Sequence, residues 1–210
     1  MQDEHALYVQ ERIRYLQSQI NSHFLYTTLE SMRGMCASHQ DQALRSAMTQ
    51  LAAMYRYSAM PEVTVPLEEE IRVVQIYDAL LRRVKPHEIA VVFQIPQELM
   101  QQPVPRMLIQ PLVENALLHG FLNRGIDEGT IRIRARRKED RFLLTIENDG
   151  IGIDAEKIVE LNEQSGQNCR QIGFSNVRER IRLLYPDRGS IEICSDGIRG
   201  AAVHIEIQAQ

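Results

Sequence analysis

Three short clusters in the second half of the chain carry residue types that can bind a nucleotide and a metal ion. The first is QPLVENALLHG, in which Asn115 and His119 stand four residues apart and share one face of a predicted helix. A neutral amide oxygen can hold Mg²⁺ together with phosphates and water, which this ion prefers as ligands. The alternative is structural: Asn115 caps or packs, and Glu114 and His119 lie on the surface.

The second cluster, ENDGIGID, follows a predicted strand and precedes a predicted helix. Asp149 at the strand end is well placed to accept a hydrogen bond from an adenine amine, and Gly150 and Gly152 would let the backbone approach a ligand closely. The spacing of Gly150, Gly152 and Ala155 also fits a dinucleotide fingerprint, but that motif needs a parallel βαβ unit. A plain turn at Asn148–Gly150 is a further alternative.

The third cluster, QIGFSNVRERIRLLYP, places Gly173 before a predicted helix whose first turn carries Ser175 and Asn176. Free N–H groups at such a helix start attract phosphate, although Ser175 also fits a plain N-cap. Each cluster alone could have either a structural role or a role in ligand binding. The order of the three clusters along the chain is a much stronger indication of ligand binding than any one of them.

A histidine in the first part of the chain raises a separate question. Ile13, Leu16 and Ile20 follow helical spacing, and His23 comes three residues after Ile20, on or beside the seam that should be buried. His23 is therefore either a core residue with a satisfied hydrogen bond or a group that reacts. Neutral imidazole is a competent nucleophile near pH 7 because its ordinary pKa is about 6.5.

The elements that must position these residues fall into two parts. Residues 3–37 and about 43–58 follow helical patterns and predict an antiparallel hairpin. One apolar stripe of such a hairpin stays uncovered, so we expect a homodimer that forms a four-helix bundle over residues 1–60. Met60–Pro66 contains two prolines and is interpreted as a linker.

Residues 61–210 mix helices with strands that pair through hairpins, which predicts an α+β sandwich with a mostly antiparallel or mixed sheet. Arginines alternate with apolar residues over Thr130–Arg136, as expected where one sheet face is solvated. The predicted helices are Leu67–Val84, Pro105–Gly120, Ala155–Asn162 and Ser175–Leu184, and the predicted strands are Ile89–Ile95, Thr130–Arg136, Phe142–Asn148, Ser190–Ser195 and Ala202–Gln208.

Composition narrows the function classes. The chain is 44% hydrophobic and 25% charged, which is enough to bury a core. A net charge of −4 argues against a nucleic-acid binder. The three separated cysteines suggest a reducing compartment. No apolar run approaches the ~20 residues of a membrane span.

The ordered clusters resemble the N, G1 and G2 boxes of the GHKL ATP-binding fold of gyrase, Hsp90, MutL and histidine kinases. LQSQINSHFLYTTLESMRG also resembles the phosphoacceptor segment of LytS/YesM-type sensor histidine kinases, whose pattern is L-Q-x-Q-I-N-P-H-F-L-[FY]-N-T-L. LIQPLVENALLHG and NVRERIRLLY match that family closely as well. The resemblance covers nearly the whole chain.

By this resemblance His23 is the phosphoacceptor, Asn115 holds Mg²⁺ and Asp149 recognises adenine. Glu114 is the nearest acidic residue to assist His23, and Thr27, one turn after it, would help position water for dephosphorylation. The implied cofactors are ATP and Mg²⁺. The implied nucleotide-binding residues are Asn115, His119, Asp149, Gly150, Gly152, Gly173, Ser175 and Asn176.

Several positions depart from the family pattern. Ser22 stands where proline is usual, and Thr27 where asparagine is usual. Gln171 replaces the first glycine of a G-x-G, and Ala201 replaces a hydroxyl residue that supports adenine recognition through water. The loss of that hydroxyl would weaken nucleotide binding by roughly one hydrogen bond, about 1 kcal/mol.

The resemblance implies the kinase core of a bacterial two-component sensor, which autophosphorylates His23 and passes the phosphoryl group to a response-regulator aspartate. We expect it on the cytoplasmic side of the cell membrane, within a full-length membrane receptor. One alternative is a degenerate dimeric scaffold that binds ATP poorly or not at all. Another is an ATPase without autophosphorylation, disfavoured because Pro111 stands where such enzymes carry a catalytic glutamate.

Overall fold

The chain begins with a helical hairpin. A computed structural model describes residues 22–38, 41–163 and 172–208, and in it helix α1 spans Ser22–Ala37 and helix α2 spans Asp41–Ala59. These bounds agree with the predicted hairpin over the described residues, whereas residues 3–21 of the predicted first helix lie outside them. Among the described side chains of α1 and α2, three large apolar ones are exposed: Tyr26, Leu29 and Met48.

The hairpin packs on helix α3, Leu67–Val84, which has the predicted bounds. Three glutamates occupy the first turn of α3 and two arginines the last, as the helix dipole favours. Met32 of α1 and Ala47 of α2 are buried in the same apolar cluster as Leu67 and Val74 of α3. Hairpin and sandwich therefore share one continuous core.

A five-stranded mixed sheet forms the second layer of the sandwich. Its strands are β2 Glu88–Gln94, β4 Glu128–Lys138, β5 Arg141–Ile151, β6 Gly189–Cys194 and β7 Arg199–Gln208. The strand order is β2–β4–β5–β7–β6, in which β2 runs parallel to β4 and the other neighbours are antiparallel. The predicted α+β architecture with a mixed sheet is thus confirmed.

The alternation in β4 divides the two faces of the sheet. Ile131, Ile133 and Ala135 are buried, whereas Arg134 and its neighbouring arginines point to the wet face. Arg134 forms an ion pair there with Glu147 of β5. The arginines are therefore the solvated side of an amphipathic strand, as predicted.

A second, two-stranded sheet lies where the sequence suggested a linker. Strand β1, Thr64–Pro66, pairs antiparallel with strand β3, Pro103–Pro105. Prolines are tolerated in so short a sheet because both strands are edges that need few N–H donors.

The predicted helix Pro105–Gly120 starts five residues too early, and its predicted end lies within one residue of the observed one. Pro105 ends strand β3, and helix α4 spans only Gln110–Asn115, with Pro111 in its first turn. The chain then widens into a π-helical segment, Ala116–Phe121. The proline in the first turn of this helix is therefore Pro111 and not the predicted Pro105.

The remaining helices are α5, Ala155–Glu163, and α6, Ile172–Leu184. Leu161 of α5 and Val177 and Ile181 of α6 are buried in the common core. Within the residues described, no helix is both long and apolar enough to cross a membrane.

A buried histidine at the turn between α3 and β2 makes stability depend on pH. The His87 side chain has no exposed surface, and its Nε2 lies 3.8 Å from Asp78 Oδ1. Burial, followed by the charge of Arg82, lowers the pKa of His87 below its ordinary value. His87 is therefore neutral in the folded protein at pH 7.

We predict that the free energy of unfolding falls as the pH drops below about 6.5. The unfolded chain takes up a proton on His87 there, and the folded protein does so only at a lower pH. The contribution of this one group is at most about 1.4 kcal/mol per pH unit. Urea unfolding of wild type and His87→Gln between pH 7.5 and 5.5 tests this, and equal slopes for the two proteins would contradict it.

Candidate active site

Asn115 lies at the point where helix α4 changes character. It is the last α-helical residue before the π-helical segment Ala116–Phe121, and its side chain is half-buried. Such π segments occur frequently at functional sites. Asn115 itself keeps α-helical dihedrals, φ −59° and ψ −44°, and the irregular backbone begins with the residue after it.

Gly173 lies directly against Asn115. A Cβ atom on Gly173 would stand 2.7 Å from Asn115 Nδ2 and 3.2 Å from the Pro111 carbonyl oxygen. A larger residue would have to displace the Asn115 amide and crowd the Pro111 carbonyl. The first and third sequence clusters thus meet in the structure.

Asp149 is held by the neighbouring strand. Its Oδ1 accepts a hydrogen bond from the backbone N–H of Thr130 at 2.7 Å. The β5–β7 pairing shifts register between Asn148 and Ile151, so Asp149 sits at an irregularity of the strand end. This bond orients the carboxylate.

Two glycines after Asp149 allow the backbone contacts that close this end of the sheet. A Cβ on Gly150 would lie 2.3 Å from the Gly120 carbonyl oxygen, and one on Gly152 would lie 2.6 Å from the Gly197 carbonyl carbon. Strand β5 therefore packs on the π-helical segment that follows Asn115. The second cluster is joined to the first through this contact.

Three further predicted site residues, Glu114, His119 and Thr27, differ in exposure and in the element that carries them. Glu114 is half-buried and accepts a hydrogen bond from Gln110 Nε2 at 3.0 Å. Its charge acts with burial to raise the pKa of Tyr77 on α3. His119 is exposed, and Thr27 is half-buried on α1.

The third cluster differs from the prediction in one respect. Helix α6 includes Ile172, so Gly173 lies inside the helix and does not precede it, and Ser175 is not its N-cap. Ser175 and Asn176 are half-buried within the helix. Gln171 lies outside the described residues, as does the side chain of His23, whose backbone belongs to α1.

No cluster of three or more His, Cys, Asp or Glu side chains suited to a metal ion occurs in the described part of the chain. The donors at Asn115 fit a different kind of site, in which one protein amide and the phosphates of a bound nucleotide share an Mg²⁺ ion. The residues present are thus compatible with a metal that arrives with its nucleotide.

Family models match both parts of the chain. Residues 11–87 match the histidine kinase model, and residues 101–210 match the model of histidine kinase-, DNA gyrase B- and HSP90-like ATPases. The chain belongs to this histidine kinase and ATPase family. The predicted resemblance is confirmed.

Similar proteins carry names of the same kind. Sensor histidine kinase YesM of Bacillus subtilis is 30% identical over 206 residues, covering 97% of this chain and 34% of the relative. Sensor histidine kinase BtsS of Escherichia coli is 31% identical over 193 residues, covering 91% and 32%. The chain thus spans about a third of the length of these relatives.

Solved structures support the fold. The histidine kinase domain of the blue-light activated kinase EL346 from Erythrobacter litoralis has a TM-score of 0.51 at 20% identity, covering 96% of this chain and 95% of that one. The catalytic domain of histidine kinase ThkA has a TM-score of 0.53 at 20% identity, covering 69% and 93%.

Sequence reasoning missed the residues that support Asp149 in this kinase-family chain. Gly129 has φ +147°, and a Cβ on it would meet the Phe121 ring at 2.4 Å and Asp149 Oδ1 at 2.9 Å. The Asn148 side chain donates to the Ala201 carbonyl at 3.3 Å and accepts the Gly150 N–H at 3.1 Å. Gly129 directly before the predicted strand Thr130–Arg136 was the available signal, since a glycine in a strand often marks the close approach of another group.

We predict that Asp149→Ala weakens Mg-ATP binding by about 10- to 100-fold, the range for loss of a hydrogen bond to a charged group. The variant also leaves the Thr130 N–H without its acceptor, so its melting temperature should fall slightly. Calorimetric titration measures the first effect. Glu147→Ala, two residues earlier on β5, is the control and should bind like wild type; unchanged binding by Asp149→Ala would exclude adenine recognition by this residue.

Proposed function

We propose that this chain is the dimerisation and ATP-binding core of a two-component sensor histidine kinase. Residues 1–60 would form the dimerisation and phosphotransfer hairpin, and residues 61–210 the ATP-binding domain. The observation that carries the proposal is the approach of Gly173 to Asn115 beside the Asp149 strand end, in a chain that also contains the His23 segment.

In the proposed reaction, an imidazole nitrogen of His23 attacks the γ-phosphorus of ATP. The new N–P bond forms as the bond from the γ-phosphorus to the bridging oxygen breaks, and ADP leaves. The second ring nitrogen gives up its proton, with Glu114 as the proposed acceptor. A receiver-domain aspartate then takes the phosphoryl group from the histidine.

The chain's own residues would position the nucleotide. Asp149 would accept the adenine amine, and Asn115 would hold Mg²⁺, which neutralises charge on the phosphates when bound. His119 would lie near the phosphates, as would the helix segment with Ser175 and Asn176. Gly150, Gly152 and Gly173 would shape the pocket, and Thr27 would position water for dephosphorylation.

The scaffold alternative has less support. It rested on Ser22, Gln171 and Ala201, whereas the relatives are named sensor histidine kinases. Ala201 lies opposite Asn148 in the β5–β7 register and accepts its amide through a backbone carbonyl, an interaction that any residue at position 201 can make. The substitution therefore leaves this support of the strand end intact.

The whole protein's role is proposed on the same basis. The relatives' names as sensors support a full-length receptor, with this part of it on the cytoplasmic side of the bacterial membrane. A response-regulator receiver domain would be its partner in phosphotransfer.

We predict that His23→Gln abolishes autophosphorylation and leaves ATP binding nearly intact. The proposed pocket is built from residues after Asn115, so acceptor and pocket should be separable by mutation. Incubation with γ-labelled ATP gives the readout, because phosphohistidine is lost in acid and survives base. His204→Gln, exposed on the wet face of the sheet, is the matched control.

Melting temperature is measured on the same His23 variant. An unchanged melting temperature together with loss of the acid-labile phosphate label agrees with a reactive histidine. If the variant keeps the phosphate label and its melting temperature falls, His23 only supports the helices. The fall is expected in that case because a buried polar partner left unpaired lowers the free energy of unfolding by ~1–3 kcal/mol.

We predict a homodimer through the hairpin, because Tyr26, Leu29 and Met48 expose apolar surface there. Met48→Glu should weaken the dimer about a hundredfold, since an unpaired buried charge costs roughly 3 kcal/mol or more. Light scattering across a dilution series measures this. Val159→Glu is the control, because Val159 on α5 is 51% exposed and Met48 is 56% exposed; a wild-type monomer at micromolar concentration would contradict the prediction.

A further inference from the structure

A carboxylate with no exposed surface lies beneath the site. Glu70, in the first turn of α3, accepts the Met107 N–H on Oε1 and the Ile109 N–H on Oε2, both at 2.7 Å. The hydroxyl of Tyr57 also donates to Oε1. Glu70 thus satisfies the demand of a buried carboxylate for donors with groups from two different parts of the chain.

The backbone segment 106–109 is held from its other side by Arg180. One guanidinium nitrogen of Arg180 donates to the carbonyl oxygens of Arg106 at 2.8 Å and Met107 at 2.5 Å. Met107 adopts φ +60°, a left-handed conformation that is uncommon outside glycine. The conformation of this segment is therefore set by its hydrogen bonds to Glu70 and Arg180 and not by the conformational preference of its own residues.

This segment leads directly into the nucleotide site. Helix α4 begins at Gln110 and ends at Asn115, and Arg180 belongs to α6, whose Gly173 packs on Asn115. A shift of segment 106–109 would move both sides of that contact. The Asn115–Gly173 geometry thus depends on the bonds of Glu70 and Arg180.

Tyr57 connects the hairpin to this arrangement. It is buried in the last turn of α2, and its carbonyl accepts a bond from Arg106 Nη1 at 2.5 Å, in addition to the bond from its hydroxyl to Glu70. The Arg106 guanidinium lies 5.8 Å from the Tyr57 ring centroid. Burial, together with the charge of Glu70, raises the pKa of Tyr57, so the phenol stays a donor.

We propose that Tyr57 is a positioning residue for the nucleotide site, acting through Glu70 on the backbone segment that precedes the Asn115 helix. The proposal rests on the proposed function. When the end of α2 moves, Glu70 loses a donor, and the cost of a buried carboxylate short of donors favours rearrangement of the backbone groups that still bind it. By linkage, bound nucleotide in turn holds the end of α2 in place.

The test compares Tyr57→Phe with Tyr55→Phe. Tyr55 lies on the same helix, is half-buried, and its hydroxyl has no hydrogen-bond partner within the described residues. Calorimetric titration with Mg²⁺ and a non-hydrolysable ATP analogue, well below both melting temperatures, gives the affinities. We expect Tyr57→Phe to bind about fivefold or more weakly, as expected when part of a hydrogen bond to a charged group is lost, and Tyr55→Phe to bind like wild type.

Hydrogen exchange separates positioning from simple stabilisation. In wild type, the nucleotide analogue should slow amide exchange in the last turn of α2, and in Tyr57→Phe it should not. Glu70→Gln, which keeps the side-chain volume but replaces one acceptor oxygen with a donor, should weaken binding in the same way.

Two outcomes would overturn the inference alone. One is an analogue affinity of Tyr57→Phe equal to that of wild type, whatever its melting temperature, and the other is weaker binding by Tyr57→Phe while the analogue still slows amide exchange in the last turn of α2. A wild-type chain that binds no analogue would overturn the proposed function and this inference with it.

Discussion

The buried Glu70 carboxylate is the interaction on which the arrangement of the site depends. It has no exposed surface and joins Tyr57 of the hairpin to the Met107 and Ile109 N–H groups. Burial raises the pKa of Glu70, and the bonds from Tyr57, Ile109 and Met107 act in the opposite direction. Removal of one donor would leave a buried polar group unsatisfied, at a cost of about 1–3 kcal/mol. The backbone that precedes α4 is thereby held in one position.

Close packing extends this order to the proposed nucleotide site. Gly150 lies against the Gly120 backbone at a distance that leaves no room for a side chain, and Gly173 lies against the side-chain amide of Asn115. Protein interiors are close-packed and transmit strain, so a shift at one of these contacts moves its neighbours. A displacement of α4 would therefore be felt both by α6 and by the Asp149 strand end.

Sequence patterns correctly predicted those elements whose formation depends on residues close to one another in the chain. Helix α3 has its predicted bounds because its apolar stripe, acidic first turn and basic last turn agree with one another. The prediction for α4 failed because the choice between Pro105 and Pro111 as helix start depends on Glu70, 35 or more residues earlier in the chain. The same holds for Gly129 and Thr130, whose contact with Asp149 arises only once β4 and β5 pair. Residue type and order predicted the three clusters, but not the bonds that orient them.

The charged side chains of Glu70 and Arg180 fix the orientation of the backbone that they bind, which apolar side chains would not do. Replacement of buried ion pairs by well-packed apolar groups is often neutral or stabilising, so Glu70 and Arg180 are not explained by stability alone. Burial lowers the pKa of Arg180 to about 10, which still leaves it charged at neutral pH. A carboxylate and a guanidinium accept and donate along defined directions, whereas apolar contacts leave rotation and sliding open. Glu70 fixes the N–H directions of Met107 and Ile109, and Arg180 fixes the C=O directions of Arg106 and Met107. Together these bonds set the orientation in which α4 starts.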